Sequence, residues 1–143
     1  MVLAVKMMKL VLGIVVAVLI AFGVGWTWGG SGNSELHRAL EVAELQKSLL
    51  GGRALVLDAR LDIYSVNFGE ASRHLEMARS ALGVAEARFN ALGRQEDSKQ
   101  LALALTKIAE AQRMAGELNQ DANALAADAA KAIDDVLGKT GTR

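Results

Sequence analysis

The chain has 143 residues, with 16 basic and 16 acidic side chains, 52% hydrophobic residues, and neither cysteine nor proline. Without cysteine it is not a disulfide-stapled miniprotein, a cysteine-ligated zinc module or a thiol enzyme. The balanced charge, with no long basic run, excludes the electrostatic footprint of a nucleic-acid-binding protein. No proline interrupts a helical ladder, and 25 residues are alanine, the best helix former. We therefore expect an all-α fold.

Residues 10–28 form an uncharged apolar run that predicts one transmembrane helix. At about 1.5 Å per residue the run spans roughly 28 Å, close to the thickness of a bilayer hydrocarbon core. Two basic residues, Lys6 and Lys9, precede the run. Two tryptophans, Trp26 and Trp28, end it, and their rings favour the membrane interface. The positive-inside rule then predicts a cytoplasmic segment at residues 1–9 and an extracytoplasmic remainder. The expected location is the plasma membrane, in a bacterium the inner membrane, with the C-terminal domain in the periplasm.

A cleaved export signal is the alternative interpretation of the same run. The apolar core of such a signal is usually about 7 to 15 residues long and ends at a small-x-small cleavage site. Here the core is longer, and Gly23-Val24-Gly25, the only passable site, precedes the bulky Trp26. These features favour an uncleaved signal anchor.

Small residues recur at every fourth position within and just after the run: Gly13, Ala17, Ala21, Gly25 and Gly29. This spacing produces a nearly continuous groove along one face of a membrane helix, where another helix can approach closely. We therefore predict that this face packs against a second membrane helix.

A Gly-rich hinge at residues 29–33 connects the predicted anchor to a predicted helical bundle at residues 34–137. Three apolar seams with alternating spacings of four and three residues predict antiparallel helices in a bundle or coiled coil. The first seam, which only Lys47 interrupts, consists of Leu36, Leu40, Ala43, Leu50, Ala54, Leu57, Leu61, Tyr64 and Phe68. The second consists of Ala71, Leu75, Ala78, Leu82, Ala85, Phe89 and Leu92. The third consists of Leu101, Ala104, Ile108, Ala111, Ala115, Leu118, Ala122, Leu125, Ala129, Ala132 and Val136.

Glycines leave the number of helices open between three and four. Gly51-Gly52 disfavours a helix interior by about 2 kcal/mol, yet the first seam keeps its phase across the pair, which favours a continuous or kinked helix. A break there would produce four helices. Gly116 is a second candidate break, in the third seam. Gly93 and Gly138 predict helix ends, the latter followed by a flexible tail at residues 138–143.

The segment Leu57 to Leu82 resembles one helix-turn-helix unit of the tetratricopeptide family. The resemblance depends on small and aromatic positions that let two helices interlock: Ala59, Phe68, Ala71, Leu75 and Ala78. Arrays of such units bind peptides or partner proteins, so the resemblance implies a paired-helix interaction module. It covers about a fifth of the chain.

Two pairs of side chains at helical spacing are the candidate metal ligands. His37 and Glu41, and likewise Glu70 and His74, are separated by four residues and would each share a helix face. Solvated surface pairs have the same spacing, and a helical distance of several turns separates His37 from His74. We therefore expect no metal site, and these four residues are the only candidates.

No arrangement of serine, histidine and acid predicts nucleophilic catalysis, and no glycine-rich phosphate loop precedes a helix. We expect neither an enzyme nor a bound cofactor. The predicted function is a single-pass membrane-anchored helical scaffold, adaptor or accessory subunit of an envelope assembly. Its expected partners are the membrane, other membrane or envelope proteins, further copies of itself, and no nucleic acid. The alternative is an anchored sensor that binds a metal ion or small ligand in its bundle.

Overall fold

A computed structural model describes residues 34–140, which form four α-helices joined by short turns. Helix α1 covers residues 34–64, α2 Phe68–Ala91, α3 Gln95–Gly116 and α4 Ala122–Thr140. Residues 34–41 belong to one compact unit and residues 42–140 to another. The predicted anchor, its small-residue face and the hinge lie outside the described residues. No helix within residues 34–140 is long and apolar enough to cross a membrane.

In the second unit, helix α1 packs against both α2 and α4. Side-chain pairs join α1 to α2 at Glu44–Arg88 and Asp62–His74, and to α4 at Arg53–Asp134 and Arg60–Asn123. Residue numbers rise along α1 as they fall along each partner, so both neighbours are antiparallel to α1. Helix α3 lies between α2 and α4, and the result is an up-down-up-down four-helix bundle.

Alanine provides nearly half of the bundle core. Of 23 buried hydrophobic residues, 11 are alanine, and the others are mostly leucine, isoleucine, valine and phenylalanine. Small side chains let helix axes approach closely, but each one removes little apolar surface from water. The predicted seam of α2 is confirmed, because every member from Ala71 to Phe89 is buried. Only its last member, Leu92, lies outside the core, at the end of the helix.

The predicted seam of α1 is wrong for the second unit. Its members between Ala43 and Tyr64 are exposed, except for the half-buried Leu57. The face that enters the core lies elsewhere on the helix, and consists of Leu45, Leu49, Gly52, Val56, Ala59 and Ile63. Both sets recur at heptad spacing, so periodicity alone does not show which set faces the bundle.

The count of four helices arises from a break in the third predicted seam. Helix α3 ends at Gly116, and Leu118 adopts a left-handed φ of 58° with its side chain exposed. Helix α1 continues through Gly51-Gly52, as its phase predicted. Gly93 ends α2 with φ of 71°, also as predicted. Helix α4, by contrast, continues past Gly138 to Thr140, so the predicted stop at Gly138 is not observed.

Candidate functional site

The most distinctive surface of the bundle is an exposed apolar strip along α1, which we call the outer stripe. It consists of Ala43, Leu50, Ala54, Leu57, Leu61 and Tyr64, with the charged Lys47 as its one interruption. Three of its large side chains are mostly in solvent, with exposures of 55% for Leu50, 67% for Leu61 and 80% for Tyr64. A single exposed apolar residue is ordinary, but a contiguous exposed row indicates a contact surface.

The outer stripe and the core face lie on nearly opposite sides of α1. Because successive residues of an α-helix are rotated by about 100°, the centres of the two faces are about 150° apart. Between them, Arg53 is held by Asp134 of α4, which raises the pKa of the guanidinium through a hydrogen bond and charge attraction. On the other flank, Glu44 pairs with Arg88 of α2 at 2.5 Å. These flanking contacts keep the stripe facing away from the bundle.

A shallow groove of about 310 Å³ lies beside the C-terminal end of the outer stripe. Leu57, Leu61 and Tyr64 of α1 form one wall, while Arg60 of α1 and Asn123 of α4 complete the lining. The Arg60 side chain donates from Nε to Oδ1 of Asn123 at 2.9 Å, and Nδ2 of Asn123 donates to the Arg60 carbonyl at 3.4 Å. The polar wall is therefore anchored on both helices, and the apolar wall is open to a partner side chain.

The structure separates the predicted metal-ligand pairs. Among the described residues, Nδ1 of His74 lies 2.7 Å from Oδ2 of Asp62 on α1. Glu70 instead accepts hydrogen bonds from Arg73 at 2.5 and 2.9 Å, and Arg73 lowers the pKa of that carboxyl by hydrogen bonding and charge. His37 and Glu41 are exposed on α1. Nowhere in residues 34–140 do three or more potential ligands gather around one point.

The His74–Asp62 contact is a cross-helix pair that sequence reasoning did not anticipate. Asp62 lies two residues before the end of α1 at residue 64, and His74 lies six residues after the start of α2 at Phe68. Reflection about the turn, as in the Glu44–Arg88 pair, would place Asp62 opposite Glu70, so His74 lies about one helical turn further along α2. Both side chains are about one-fifth exposed, and the contact joins the two helices close to the turn.

A polar cluster closes the end of the bundle where α2 meets α3. The Arg94 guanidinium lies 4.6 Å from the centre of the Phe89 ring. Its Nε donates to Asp97 at 2.7 Å, and its Nη2 donates to Thr140 of α4 at 3.3 Å. Arg94 thus ties the α2–α3 turn to the last turn of α4. Each polar group in the cluster has a partner, so we assign this cluster a structural role.

Alternating charges on the outer faces of the helices form exposed pairs, as in Lys107 of α3 with Asp128 of α4. Nζ of Lys107 donates to Oδ2 of Asp128 at 2.9 Å, and this hydrogen bond, assisted by charge attraction, lowers the pKa of the Asp128 carboxyl. A carboxyl with a lowered folded-state pKa adds stability above its unfolded pKa, and this stability is lost as pH falls through the folded pKa. Exposed pairs of this kind contribute little to folding.

We expect Lys107→Met to raise the pKa of Asp128 toward its ordinary value, because the substitution removes the hydrogen bond and the charge attraction that lower it most and leaves only the smaller effect of the Lys131 charge. NMR measurement of the carboxyl-carbon chemical shift during an acid titration would give the pKa of Asp128. Glu70 provides the internal control, since its pKa is lowered by a different cation, Arg73. An Asp128 titration curve unchanged by the substitution would contradict the assigned pair.

No protein-family model, curated protein or solved structure matches the chain. The likeness of Leu57 to Leu82 to a tetratricopeptide hairpin therefore stays a prediction. The positions that carry the likeness are all buried between helices in the bundle, namely Ala59, Phe68, Ala71, Leu75 and Ala78.

Proposed function

We propose that this protein is a single-pass, membrane-anchored helical scaffold or accessory subunit of an envelope assembly, and that it acts through protein–protein contacts. In this proposal the predicted helix at residues 10–28 holds the chain in the membrane, and the bundle extends from it on the extracytoplasmic side. The predicted small-residue face of the anchor supplies a second contact, within the bilayer.

One observation carries the proposal: α1 has a complete core face and, in addition, an exposed apolar face. The core face is fully buried from Leu45 to Ile63, so the bundle does not need the outer stripe for its own packing. Keeping large apolar side chains such as Leu61 in water is unfavourable unless another surface covers them. The outer stripe is thus best explained as one side of a protein interface.

Two more large apolar side chains are exposed on other helices of the bundle. Val84 of α2 is 51% exposed and Leu103 of α3 is 64% exposed. A groove of about 630 Å³ lies between these helices and is lined by Glu76, Arg79, Ser80, Leu105, Thr106 and Ala109. Its mixture of charged and apolar groups resembles the polar rim and apolar centre of protein interfaces.

The test is to purify tagged full-length protein from membranes in mild detergent after light crosslinking, and to identify copurifying proteins by mass spectrometry. We expect a second membrane or envelope protein at a constant ratio to the chain. Single glutamate variants then map its contact: Leu61→Glu on α1, Val84→Glu on α2 and Leu103→Glu on α3. At least one is expected to lose the second protein.

All three glutamate variants change exposed positions, so far-UV circular dichroism should show an unchanged helical bundle in each. An Ala21→Ile/Gly25→Ile variant tests the predicted small-residue face of the anchor by the same copurification experiment. Recovery of this chain alone from every preparation would contradict a role as scaffold or accessory subunit.

A further inference from the structure

We propose that the outer stripe of α1 is the contact surface for a second copy of this chain, and that the two α1 helices form a parallel, in-register coiled coil. The inference deepens the proposed function, and rests on it in treating the outer stripe as a protein interface and the chain as anchored in the membrane. It adds the identity of the partner, the orientation of the two copies and the register.

The spacing of the outer stripe is that of a two-stranded coiled coil. Counted in heptads, its d positions are Ala43, Leu50, Leu57 and Tyr64, and its a positions are Lys47, Ala54 and Leu61. The pattern extends in sequence to Leu36 and Leu40. A strict a/d strip is narrower than the apolar face of a helix that packs in a globular core, and it matches an identical strip on a second helix. A second copy supplies such a strip.

The charges beside the stripe favour the parallel orientation. In a parallel pair, each g position meets the e position five residues later on the other helix. Arg53 is at a g position, and Asp58 is at the e position five residues later. Arg53 of each copy would therefore pair with Asp58 of the other, which gives two ion pairs related by the two-fold axis. Asp58 is exposed and forms no ion pair within residues 34–140, so it is available for this contact. An antiparallel pair would instead bring e positions together, and these carry Glu44 and Asp58.

The bundle leaves the stripe accessible to a second copy. Helices α2 and α4 contact the core face of α1, whose centre is about 150° from the centre of the stripe, and reach its flanks at Arg53 and Glu44 without covering the stripe. Two copies related by a two-fold axis parallel to α1 would therefore place their bundles on opposite sides of the new interface. The side of Arg53 that faces away from α4 borders the stripe, where it can also reach a carboxylate of the other copy.

Lys47 would set the register of the pair. A lysine at a single a position lowers the stability of a coiled coil, but it disfavours shifted alignments that would bury its charge against leucine. In register, the two Lys47 side chains face each other, and their long stems allow both ammonium groups to reach water. Lys47 is exposed in the described chain, consistent with this path.

The predicted membrane anchor would assist the pairing. The stripe within the second unit runs from Ala43 to Tyr64, about 32 Å of helix, which is short for a coiled coil that forms from free chains. Two anchored copies start from the same membrane surface in the same direction, and this confinement raises their effective concentration. The same confinement requires the parallel orientation.

The absence of cysteine from the chain makes a disulfide test direct. Leu50→Cys and Tyr64→Cys each introduce one thiol at an exposed d position, and the two positions are about 21 Å apart along the helix. A disulfide needs Cα atoms within about 7 Å. Full-length variants in native membranes would be oxidised and analysed by non-reducing electrophoresis.

Both variants are expected to run at twice the 15.1 kDa monomer mass, because every d layer meets its own copy in a parallel, in-register pair. Leu103→Cys, on α3 with similar exposure, is the matched control and is expected to stay monomeric. Adding Leu61→Glu to either stripe variant should abolish its crosslink, since the charge would enter an apolar layer of the pair. Leu61 is exposed, so this change leaves the bundle folded.

Crosslinking at only one of the two stripe positions would overturn the parallel register, because an antiparallel axis can pass through a single layer. Absence of both crosslinks, equal crosslinking of Leu103→Cys, or crosslinks that survive Leu61→Glu would overturn the interface itself. The result is independent of the copurification test. Stripe crosslinks without any second protein would uphold the paired α1 helices and contradict the accessory-subunit role. A second protein at a constant ratio without stripe crosslinks would uphold the accessory-subunit role and contradict the paired helices.

Discussion

Replacing Phe89 by alanine is expected to lower the free energy of unfolding by about 3–5 kcal/mol, the largest effect of any single substitution considered for this bundle. The Phe89 ring is fully buried on α2, and the Arg94 guanidinium lies over it at 4.6 Å. The substitution leaves a cavity and removes this cation–π contact. Since a domain of this size has a total stability of about 5–15 kcal/mol, a large part would be lost.

Urea unfolding of the full-length chain in mild detergent, followed by far-UV circular dichroism, would measure the effect of Phe89→Ala. Two control variants separate its causes. Phe89→Leu keeps most of the apolar volume and should lose only about 1–2 kcal/mol. Val84→Ala, at an exposed position of the same helix, should stay within about 0.5 kcal/mol of the parent. A change below about 1 kcal/mol for Phe89→Ala would contradict the core position of the ring.

The adjacent glycines of α1 are expected to respond in opposite directions to alanine. A Cβ on Gly52 would lie 2.5 Å from Cγ and 2.6 Å from Cδ2 of Leu82, a fully buried side chain of α2. A Cβ on Gly51 would meet nothing within 4 Å. Gly51→Ala should therefore raise stability by about 1 kcal/mol through helix propensity alone. Gly52→Ala gains the same propensity but loses about 1–3 kcal/mol through overpacking.

The same urea experiment measures the free energy of unfolding of both variants. We expect that of Gly51→Ala to be higher than that of Gly52→Ala by about 1–3 kcal/mol. Each variant serves as the control for the other, since residue type, helix and substitution are identical. In a double-mutant cycle, Gly52→Ala should lower the free energy of unfolding less in a Leu82→Ala background than in the parent chain, because the smaller side chain makes room for the new Cβ. Equal stabilisation by both single variants would show that α1 and α2 do not approach closely at Gly52.

The close approach of Leu82 explains why position 52 in the interior of α1 is glycine. Sequence phase across Gly51-Gly52 was sufficient to predict a continuous helix, but the reason for glycine was not visible in the chain. Only the packing of α1 on α2 places Leu82 against position 52. The break between α3 and α4 was harder to predict, because so many alanines keep the third seam apolar across Gly116 and Leu118 in any register.

For the candidate site too, the sequence pattern predicted the spacing of the residues, and the packing between helices decided which of them are exposed. The sequence identifies the outer stripe as an apolar heptad row interrupted by Lys47 and predicts that this row faces the core, whereas the structure places it in solvent. The error arose because α1 carries two such rows, and spacing alone ranks them equally. The His74–Asp62 contact was missed for a related reason: the partner of His74 lies on a different helix, whereas helical spacing compares residues of one helix only.

The sequence by itself determined the all-α class, the continuity of α1, the buried face of α2 and the helix end at Gly93. These features depend on helix propensity, glycine at a left-handed position and a single dominant apolar row, all of which act within a few turns of one helix. Tertiary structure alone decided which row of α1 is buried, where the third seam breaks and which charges pair. Those outcomes depend on which surfaces meet across helices, and burying one row of α1 against α2 and α4 left the other row facing solvent.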